Sequence, residues 1–162
     1  MRAHNCRVSL LNCLRMHQPK KVEDDNQPTV LFVCVHNSGR SQMAEAFFNR
    51  VAKGRTIAYS AGTQPDDQVN PTVVQAMSEL GIDLSQKRPL LLTQDMLDVA
   101  ERVITMGCNV GEACPSNLVP TEDWGLEDPK DKPLHRVMEI RDEVRRRVEA
   151  LVGDLGIASG DG

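Results

Sequence analysis

Residues 34–41 combine the residue types and the spacing of a loop that binds a tetrahedral oxyanion. They read CVHNSGRS, so five residues separate Cys34 from Arg40, and Ser41 follows directly. In such a loop successive backbone N–H groups curl into an anion nest, and a following helix adds its positive end. Arg40 would grip two oxygens with its planar guanidinium. The same positive field favours the thiolate form of Cys34, to which the Ser41 hydroxyl would donate a hydrogen bond.

We therefore predict that Cys34 is a nucleophile and that the rest of the loop surrounds the oxyanion. Asn37 is a short polar residue that tolerates the left-handed backbone of a tightly curled loop. His36 could be considered as a base, but a thiolate activated by the nest needs none, so we expect its ring at the loop edge. A buried structural cysteine followed by a chance arginine is the alternative interpretation. The predicted oxyanion-binding residues are Val35, His36, Asn37, Ser38, Gly39, Arg40 and Ser41.

Asp128 is the candidate general acid. It precedes Pro129, which restricts its backbone to extended or turn geometry. An Asp-Pro pair alone is more often only a turn, but a thiolate that attacks an oxyanion needs a proton donor for the departing oxygen. We expect Glu127 and Asp123 to be solvated, and Asp131 to be a weaker substitute for Asp128.

Cys108 and Cys114 are candidates for a second kind of chemistry. They flank a glycine-containing segment, CNVGEACP. A hydrolase regenerates its cysteine with water, whereas a reductase needs another thiol to attack the nucleophile and take over its sulfur. We predict that Cys108 attacks first and that Cys114 then attacks Cys108. Two unreactive loop cysteines are the alternative.

The elements that would position these residues alternate between strand and helix from Thr29 onward. Such alternation predicts an α/β fold with a parallel sheet, helices on both faces and ligands beyond the carboxyl ends of the strands. Cys34 ends the first strand, and Cys108 follows the third, so both cysteine loops lie at that edge. The predicted strands are 29–34, 56–60, 102–106 and about 118–124, and the predicted helices are 41–53, 70–81, 93–101 and 134–155.

The composition limits the classes of partner. With 162 residues, 40% of them hydrophobic and 26% charged, the chain has the balance of one globular domain. A net charge of -4 and 3% aromatic residues argue against nucleic acid and anionic lipid as partners. Residues 30–35, the longest apolar run, are too few to span a bilayer. Five cysteines, an odd number, suit working thiols in a reducing cytoplasm.

Residues 1–28 differ from the rest of the chain. They begin with a basic stretch that holds a short apolar patch, formed by Val8, Leu10, Leu11 and Leu14. The patch lacks the small-residue cleavage site of a secretory signal. We predict a flexible extension, with a short helix on the patch as the alternative. The residues around Cys6 and Cys13 do not form a cluster of metal ligands, so the sequence does not indicate a metal site there. The predicted organisation is an extension at 1–28, a domain at 29–156 and a tail at 157–162.

A family resemblance adds to this interpretation. Residues 31–46, LFVCVHNSGRSQMAEA, resemble the signature of arsenate reductases built on the low-molecular-weight tyrosine phosphatase fold. Residues 60–63, SAGT, and Asp128-Pro129 also match, so that the resemblance spans about residues 29–155. It implies a single three-layer domain with a four-stranded parallel sheet, an attack of Cys34 on arsenate, and Asp128 placed over the loop. Phosphate and sulfate would compete with arsenate.

The resemblance also bears on the electron donor and on ions. Thioredoxin-coupled members have a slightly longer separation between the loop cysteines, whereas residues 106–108 and 136–147 look closer to a branch that uses a low-molecular-weight thiol such as mycothiol. We expect thioredoxin, with the small thiol as the alternative. Some members bind potassium, and Asn37, Glu45 and Ser60 resemble part of that site. Lys87 and Pro89 stand where its other ligands are expected, so we predict neither an ion nor a cofactor.

Two other functions fit the same loop. A low-molecular-weight protein tyrosine phosphatase would use Cys34, Arg40 and Asp128 hydrolytically. Such phosphatases have aromatic residues beside the cleft, whereas residues 130–132 are Lys-Asp-Lys, and Gln42 stands where their signature has proline. An oxyanion-binding sensor without turnover is the non-enzymatic alternative.

Overall fold

A computed structural model describes residues 29–107 and 121–157 of the chain. Its four strands form one sheet in the order β2-β1-β3-β4, and every neighbouring pair is parallel. The predicted α/β fold with a four-stranded parallel sheet is therefore confirmed. The strands are β1 (Thr29–Cys34), β2 (Ile57–Gly62), β3 (Arg102–Thr105) and β4 (Thr121–Asp123), and the helices are α1 (Arg40–Ala52), α2 (Pro71–Ser78), α3 (Gln94–Val99) and α4 (Leu134–Asp154).

The two faces of the sheet are covered unequally. On one face, the alternate residues of β1 and their neighbours pack with α1, α2 and α4 into the larger core. Phe32 lies at its centre, with its ring 6.0 Å from that of Phe48 and 5.7 Å from that of Trp124. On the other face, Leu31 and Val33 belong to a small cluster against which Met96 and Leu97 of α3 pack. Side chains alternate across a strand, so β1 supplies both cores.

Local sequence signals explain where α2 and α3 begin. Asn70 caps α2, since its side chain accepts a hydrogen bond from the backbone N–H of Thr72 at 2.9 Å, and Pro71 occupies the first turn. Thr93 caps α3 by accepting from the N–H of Met96 at 3.3 Å. The helix predicted for 70–81 ends early at Ser78, and Gly81 follows with a left-handed φ of 72°.

The second strand extends beyond its predicted end. The sequence indicated residues 56–60, whereas β2 runs to Gly62, which pairs in register with Cys34. The additional pairing brings β2 alongside the end of β1, where the oxyanion loop begins. The fourth predicted strand, 118–124, overlaps β4, and its first three residues lie outside the described ranges.

The long helix α4 buries one stripe and exposes a charged face. The buried stripe includes Val137, Val144 and Val148, each 0% exposed. Arg141 is also buried, and its guanidinium donates to the carbonyl of Ala76 at 2.8 Å, which joins α4 to α2. Neither α4 nor any other helix within 29–107 and 121–157 has the length and apolar character to cross a membrane.

One exposed cluster on α4 predicts a pH dependence of stability. Hydrogen bonds from Arg146 and then Arg147 lower the pKa of Glu143 from 4.5 to about 2. Because the folded state holds this pKa below that of the unfolded chain, the contribution is present above pH 4.5 and is lost as the pH falls toward 2. Glu143→Gln should lower the free energy of unfolding at pH 7 by less than about 1 kcal/mol, since the pair is screened by solvent.

Urea denaturation of wild type and Glu143→Gln at several pH values measures this effect. The difference between the two proteins should disappear near pH 2. Glu149→Gln is the control, because Glu149 pairs with one arginine, Arg145, and should show a smaller difference. An equal difference at pH 7 and pH 2 would contradict the assignment.

Candidate active site

The sulfur of Cys34 is buried at the carboxyl end of β1 and is surrounded by hydrogen-bonding groups. The residue is 3% exposed. Its Sγ lies 2.9 Å from Ser41 Oγ and accepts a hydrogen bond from the backbone N–H of Asn37 at 3.2 Å. Ser41 Oγ itself accepts from the Asn37 amide at 2.8 Å, so the hydroxyl hydrogen is available to the sulfur. The contact predicted between Ser41 and Cys34 is therefore present.

Asn37 makes hydrogen bonds to most members of this polar network. It is fully buried, and its φ of 48° is left-handed, as the sequence predicted. Its Oδ1 accepts from the backbone N–H of Leu90 at 2.8 Å and from Gln42 Nε2 at 3.1 Å. Because a backbone N–H can only donate, this contact orients the amide so that its Nδ2 faces Ser41 and Ser60. Gln42, noted in the sequence as a departure from phosphatases, thus supports Asn37.

A chain of polar contacts leads from Asn37 to a surface cation. Asn37 Nδ2 donates to Ser60 Oγ at 3.0 Å, and Ser60 Oγ donates to Glu45 Oε2 at 2.5 Å. Lys87 Nζ lies 2.6 Å from the other oxygen of Glu45. The sequence singled out Glu45 and Lys87 only in connection with a potassium site. The structure places the Lys87 ammonium directly against the Glu45 carboxylate, whose side chain is 12% exposed.

Backbone hydrogen bonds hold the loop from its outer side. The carbonyls of Cys34, Val35 and His36 accept from the N–H groups of residues 63, 64 and 66, and the carbonyl of Ser38 accepts from Asn70. These bonds turn the carbonyls away from the loop centre, as an anion nest requires. Gly62 lies so close that a Cβ there would be 2.6 Å from the Val35 carbonyl oxygen. The end of β2 therefore needs glycine in order to support the loop.

Hydrogen bonds within the protein hold the Arg40 side chain in place. It is 6% exposed, and its Nη1 donates to the carbonyls of Met106 and Leu126, each at 2.7 Å. Its Nη2 donates to Asp128 Oδ2 at 3.3 Å. A side chain at Gly107 would place Cβ 3.2 Å from Arg40 Nη1, and the φ of Gly107 is +97°. The guanidinium thus lies where the carboxyl ends of β3 and β4 meet the loop.

Asp128 lies beside the loop, as the sequence predicted. Its side chain is 44% exposed, and its Oδ1 accepts from the N–H of Lys130 at 2.9 Å. The adjacent Pro129 packs on the loop, because a Cβ at Gly39 would lie 2.6 Å from its ring. Cys34, Arg40 and Asp128, separated by up to 94 positions in the sequence, are therefore brought to one site.

Two acidic residues have more partners than the sequence suggested. Asp123 was expected to be solvated, but its Oδ1 accepts from the N–H of Gly107 at 2.7 Å, from Thr105 Oγ1 at 2.9 Å and from the N–H of Gly125 at 3.3 Å. It therefore ties the end of β3 to the end of β4. Glu127 is held in ion pairs by Arg136 and Lys132, whose hydrogen bonds lower its pKa.

His36 and the remaining cysteines complete the list of sequence-predicted positions. The His36 ring lies at the loop edge, with Nδ1 3.2 Å from the carbonyl oxygen of Gln64 and 3.6 Å from Asp66 Oδ1.

Cys108, Cys114, Cys6 and Cys13 lie outside the described residues. Within the described ranges, no group of three or more His, Cys, Asp or Glu residues could hold a metal ion.

The chain is similar in sequence to proteins that are named as arsenate reductases. A Halobacterium salinarum protein that carries a provisional arsenate reductase name is 41% identical over 129 residues, which cover 76% of this chain and 90% of the relative. Arsenate reductase 2 of Staphylococcus epidermidis is 34% identical over 127 residues, which cover 77% of this chain and 96% of the relative.

Solved structures show the same similarity. A thioredoxin-dependent arsenate reductase of Corynebacterium glutamicum matches with a TM-score of 0.67 and 36% identity over 81% of this chain, which spans 63% of that longer protein. An arsenate reductase in the phosphate binding state matches with a TM-score of 0.71 and 35% identity over 79% of this chain and 98% of that one. The sequence pattern of one family, low molecular weight phosphotyrosine protein phosphatase, matches residues 29–158. Because this match covers most of the chain, the protein belongs to the low molecular weight phosphotyrosine protein phosphatase family.

Proposed function

We propose that the protein reduces arsenate to arsenite in the cytoplasm. The observation that carries the proposal is the buried Cys34 thiol, set beside Arg40 and Asp128 in a loop whose carbonyls point outward. Similarity to proteins named arsenate reductases, at 34% to 41% identity over about three quarters of the chain, favours arsenic as the reacting centre.

Binding comes first in the proposed mechanism. Arsenate would lie in the loop, with its oxygens accepting hydrogen bonds from backbone N–H groups and from the Arg40 guanidinium. Arg40 Nη1 already donates to two carbonyls, so the donors left for the oxyanion would be those on Nε and Nη2, the latter also hydrogen-bonded to Asp128. Phosphate and sulfate have the same shape and would compete, which means that selectivity has to come from the later chemistry.

The first chemical step forms a sulfur–arsenic bond. The Cys34 thiolate attacks arsenic, one arsenic–oxygen bond breaks, and Asp128 gives its proton to the departing oxygen, which leaves as water. Hydrogen bonds from Ser41 and from the Asn37 N–H hold the thiolate before the attack. A hydrogen bond from Arg40 Nη2 to Asp128 Oδ2, at 3.3 Å, keeps the carboxyl group at the loop, and Asp128 acts in this step in its protonated form.

The second step transfers two electrons. Cys108 attacks Cys34, a disulfide forms, and the electron pair of the broken sulfur–arsenic bond stays on arsenic, which leaves as arsenite. Cys114 then attacks Cys108 and carries the disulfide to an external reductant. We propose thioredoxin as this reductant, supported by the similarity to a thioredoxin-dependent reductase. A small thiol such as mycothiol is the alternative.

A protein tyrosine phosphatase is the second candidate, because the chain belongs to a family that carries that name. Hydrolysis would use Cys34, Arg40 and Asp128 in the same positions and would need no further thiol. The segment after Pro129 offers lysines and aspartate in place of aromatic residues, which argues against a phosphotyrosine cleft.

Single cysteine variants distinguish these functions. With arsenate, thioredoxin, thioredoxin reductase and NADPH, we expect arsenite from wild type and none from Cys34→Ser, Cys108→Ser or Cys114→Ser. Cys13→Ser is the matched control and should retain full activity. Full activity of Cys114→Ser with thioredoxin would contradict the proposed order, and phosphatase turnover without any arsenite from wild type would exclude the reductase.

Asp128→Asn tests the proton donor. The amide cannot protonate the departing oxygen, so kcat should fall by about 100-fold or more, while binding of phosphate as a competitive inhibitor should change little. Asp131→Asn is the control, since Asp131 is the other carboxylate in this segment. If kcat falls in Asp131→Asn and not in Asp128→Asn, Asp131 is the acid.

Substitution of Lys87 tests whether the series of polar contacts from Asn37 through Ser60 and Glu45 affects the reactivity of Cys34. Removal of its ammonium in Lys87→Met leaves Glu45 without this counter-charge, and Glu45 shares Ser60 with Asn37. We expect the rate of Cys34 alkylation at neutral pH to fall by about tenfold, and Lys87→Arg to restore most of it. Arg88→Met, next to it in the exposed loop, should leave the rate unchanged. Equal rates in Lys87→Met and wild type would show that the chain is only structural.

A further inference from the structure

An apolar groove lies on the sheet face opposite the larger core. It has a volume of about 470 Å³, and its lining includes Thr29, Leu31, Tyr59, Met96 and Val99. Tyr59 is 47% exposed and Val99 is 63% exposed, although both are large apolar side chains. Within the described part of the chain, α3 is the helix that packs on this face, and it has only six residues. The groove therefore leaves apolar surface of the sheet open to water.

The groove does not belong to the active site. Thr29 begins β1, whereas Cys34 ends it, and a strand of six residues separates the two by roughly 17 Å. Thr29 is tied to the end of α3, since its Oγ1 donates to the carbonyl of Val99 at 2.7 Å and its carbonyl accepts from Glu101 at 2.9 Å. Thr29, the first described residue, therefore lies beside the groove that it helps to line.

We propose that the N-terminal apolar patch, Val8, Leu10, Leu11 and Leu14, occupies this groove. Residues 15–28 connect the patch to Thr29 and can span up to about 45 Å when extended. A connection of that length reaches every part of the groove, and the short separation in sequence gives the patch a high effective concentration there. Its apolar side chains would cover Tyr59, Met96 and Val99.

Charge complementarity supports this occupant. Residues 1–22 contain five Lys or Arg and no Asp or Glu. Residues 94–102, which include α3, contain three acids and one base, and Asp95 lines the groove itself. A basic segment with an apolar centre thus meets an apolar groove with an acidic rim. In this arrangement the extension would cover, together with α3, the sheet face opposite the larger core.

Hydrogen exchange of the full-length protein tests the proposal. Leu11→Asp and Asn12→Asp each add one negative charge at neighbouring positions, but only the first removes an apolar side chain of the patch. Leu11→Asp should raise the early deuterium uptake of residues 57–61 and 94–100 by several-fold, and Asn12→Asp should match wild type. Fluorescence of Trp124, which packs in the opposite core against Phe32, should stay constant and report intact folding. Equal uptake in all three proteins would overturn the proposal.

A disulfide trap gives an independent geometric test. The test protein carries Val99→Cys and keeps Cys13, and its other four native cysteines are changed to serine. On mild oxidation at low protein concentration, an intramolecular cross-link should form at least about tenfold faster than with Arg145→Cys, which lies on the exposed face of α4. Equal rates would overturn the proposal. Cross-linked dimers in place of monomers would also overturn it, since a second copy would then occupy the groove.

Discussion

A buried sulfur that carries a negative charge must be compensated by hydrogen-bond donors, and most of the site is arranged around that requirement. Cys34 is nearly inaccessible at the end of a central strand, so the thiolate of the proposed mechanism would have to be stabilised by protein groups in place of water. The Asn37 N–H and the Ser41 hydroxyl lie next to the sulfur in place of water. Asn37 can serve in this way only because its left-handed backbone and its fully bonded amide hold it in one orientation.

The donors are in turn held by parts of the chain that are remote in sequence. The Leu90 N–H orients the Asn37 amide, and the Glu45 carboxylate with its Lys87 partner supports Ser60. Arg40 is held by carbonyls that follow β3 and β4, and the Asp123 carboxylate joins the ends of those two strands. Ser60 of β2 and the ends of β3 and β4 therefore all support the loop that follows β1, at the edge where the strands end.

Oxyanion binding and reduction make separate demands on the protein. Binding and nucleophilic attack need the preorganised loop, Arg40 and Asp128, and these are common to a phosphatase and a reductase. Reduction, as proposed, additionally needs thiols that approach Cys34 in turn. Gly107, the last described residue before Cys108, has a left-handed φ of +97°, and a Cβ at this position would lie 3.2 Å from Arg40 Nη1.

The sequence by itself determined the fold class, the reactive loop and its left-handed asparagine. These features depend on contiguous residues, because periodicity, capping residues and a cysteine-to-arginine spacing act over a few positions along the chain. Asp128 could also be predicted, since a proline marks it and the loop requires an acid. Tertiary structure alone decided the extension of β2 to Gly62, the pairing of Lys87 with Glu45 and the bonding of Asp123 to Gly107. Those contacts join side chains and backbone from different strands and loops, and their geometry exists only once the sheet has brought the separate segments together.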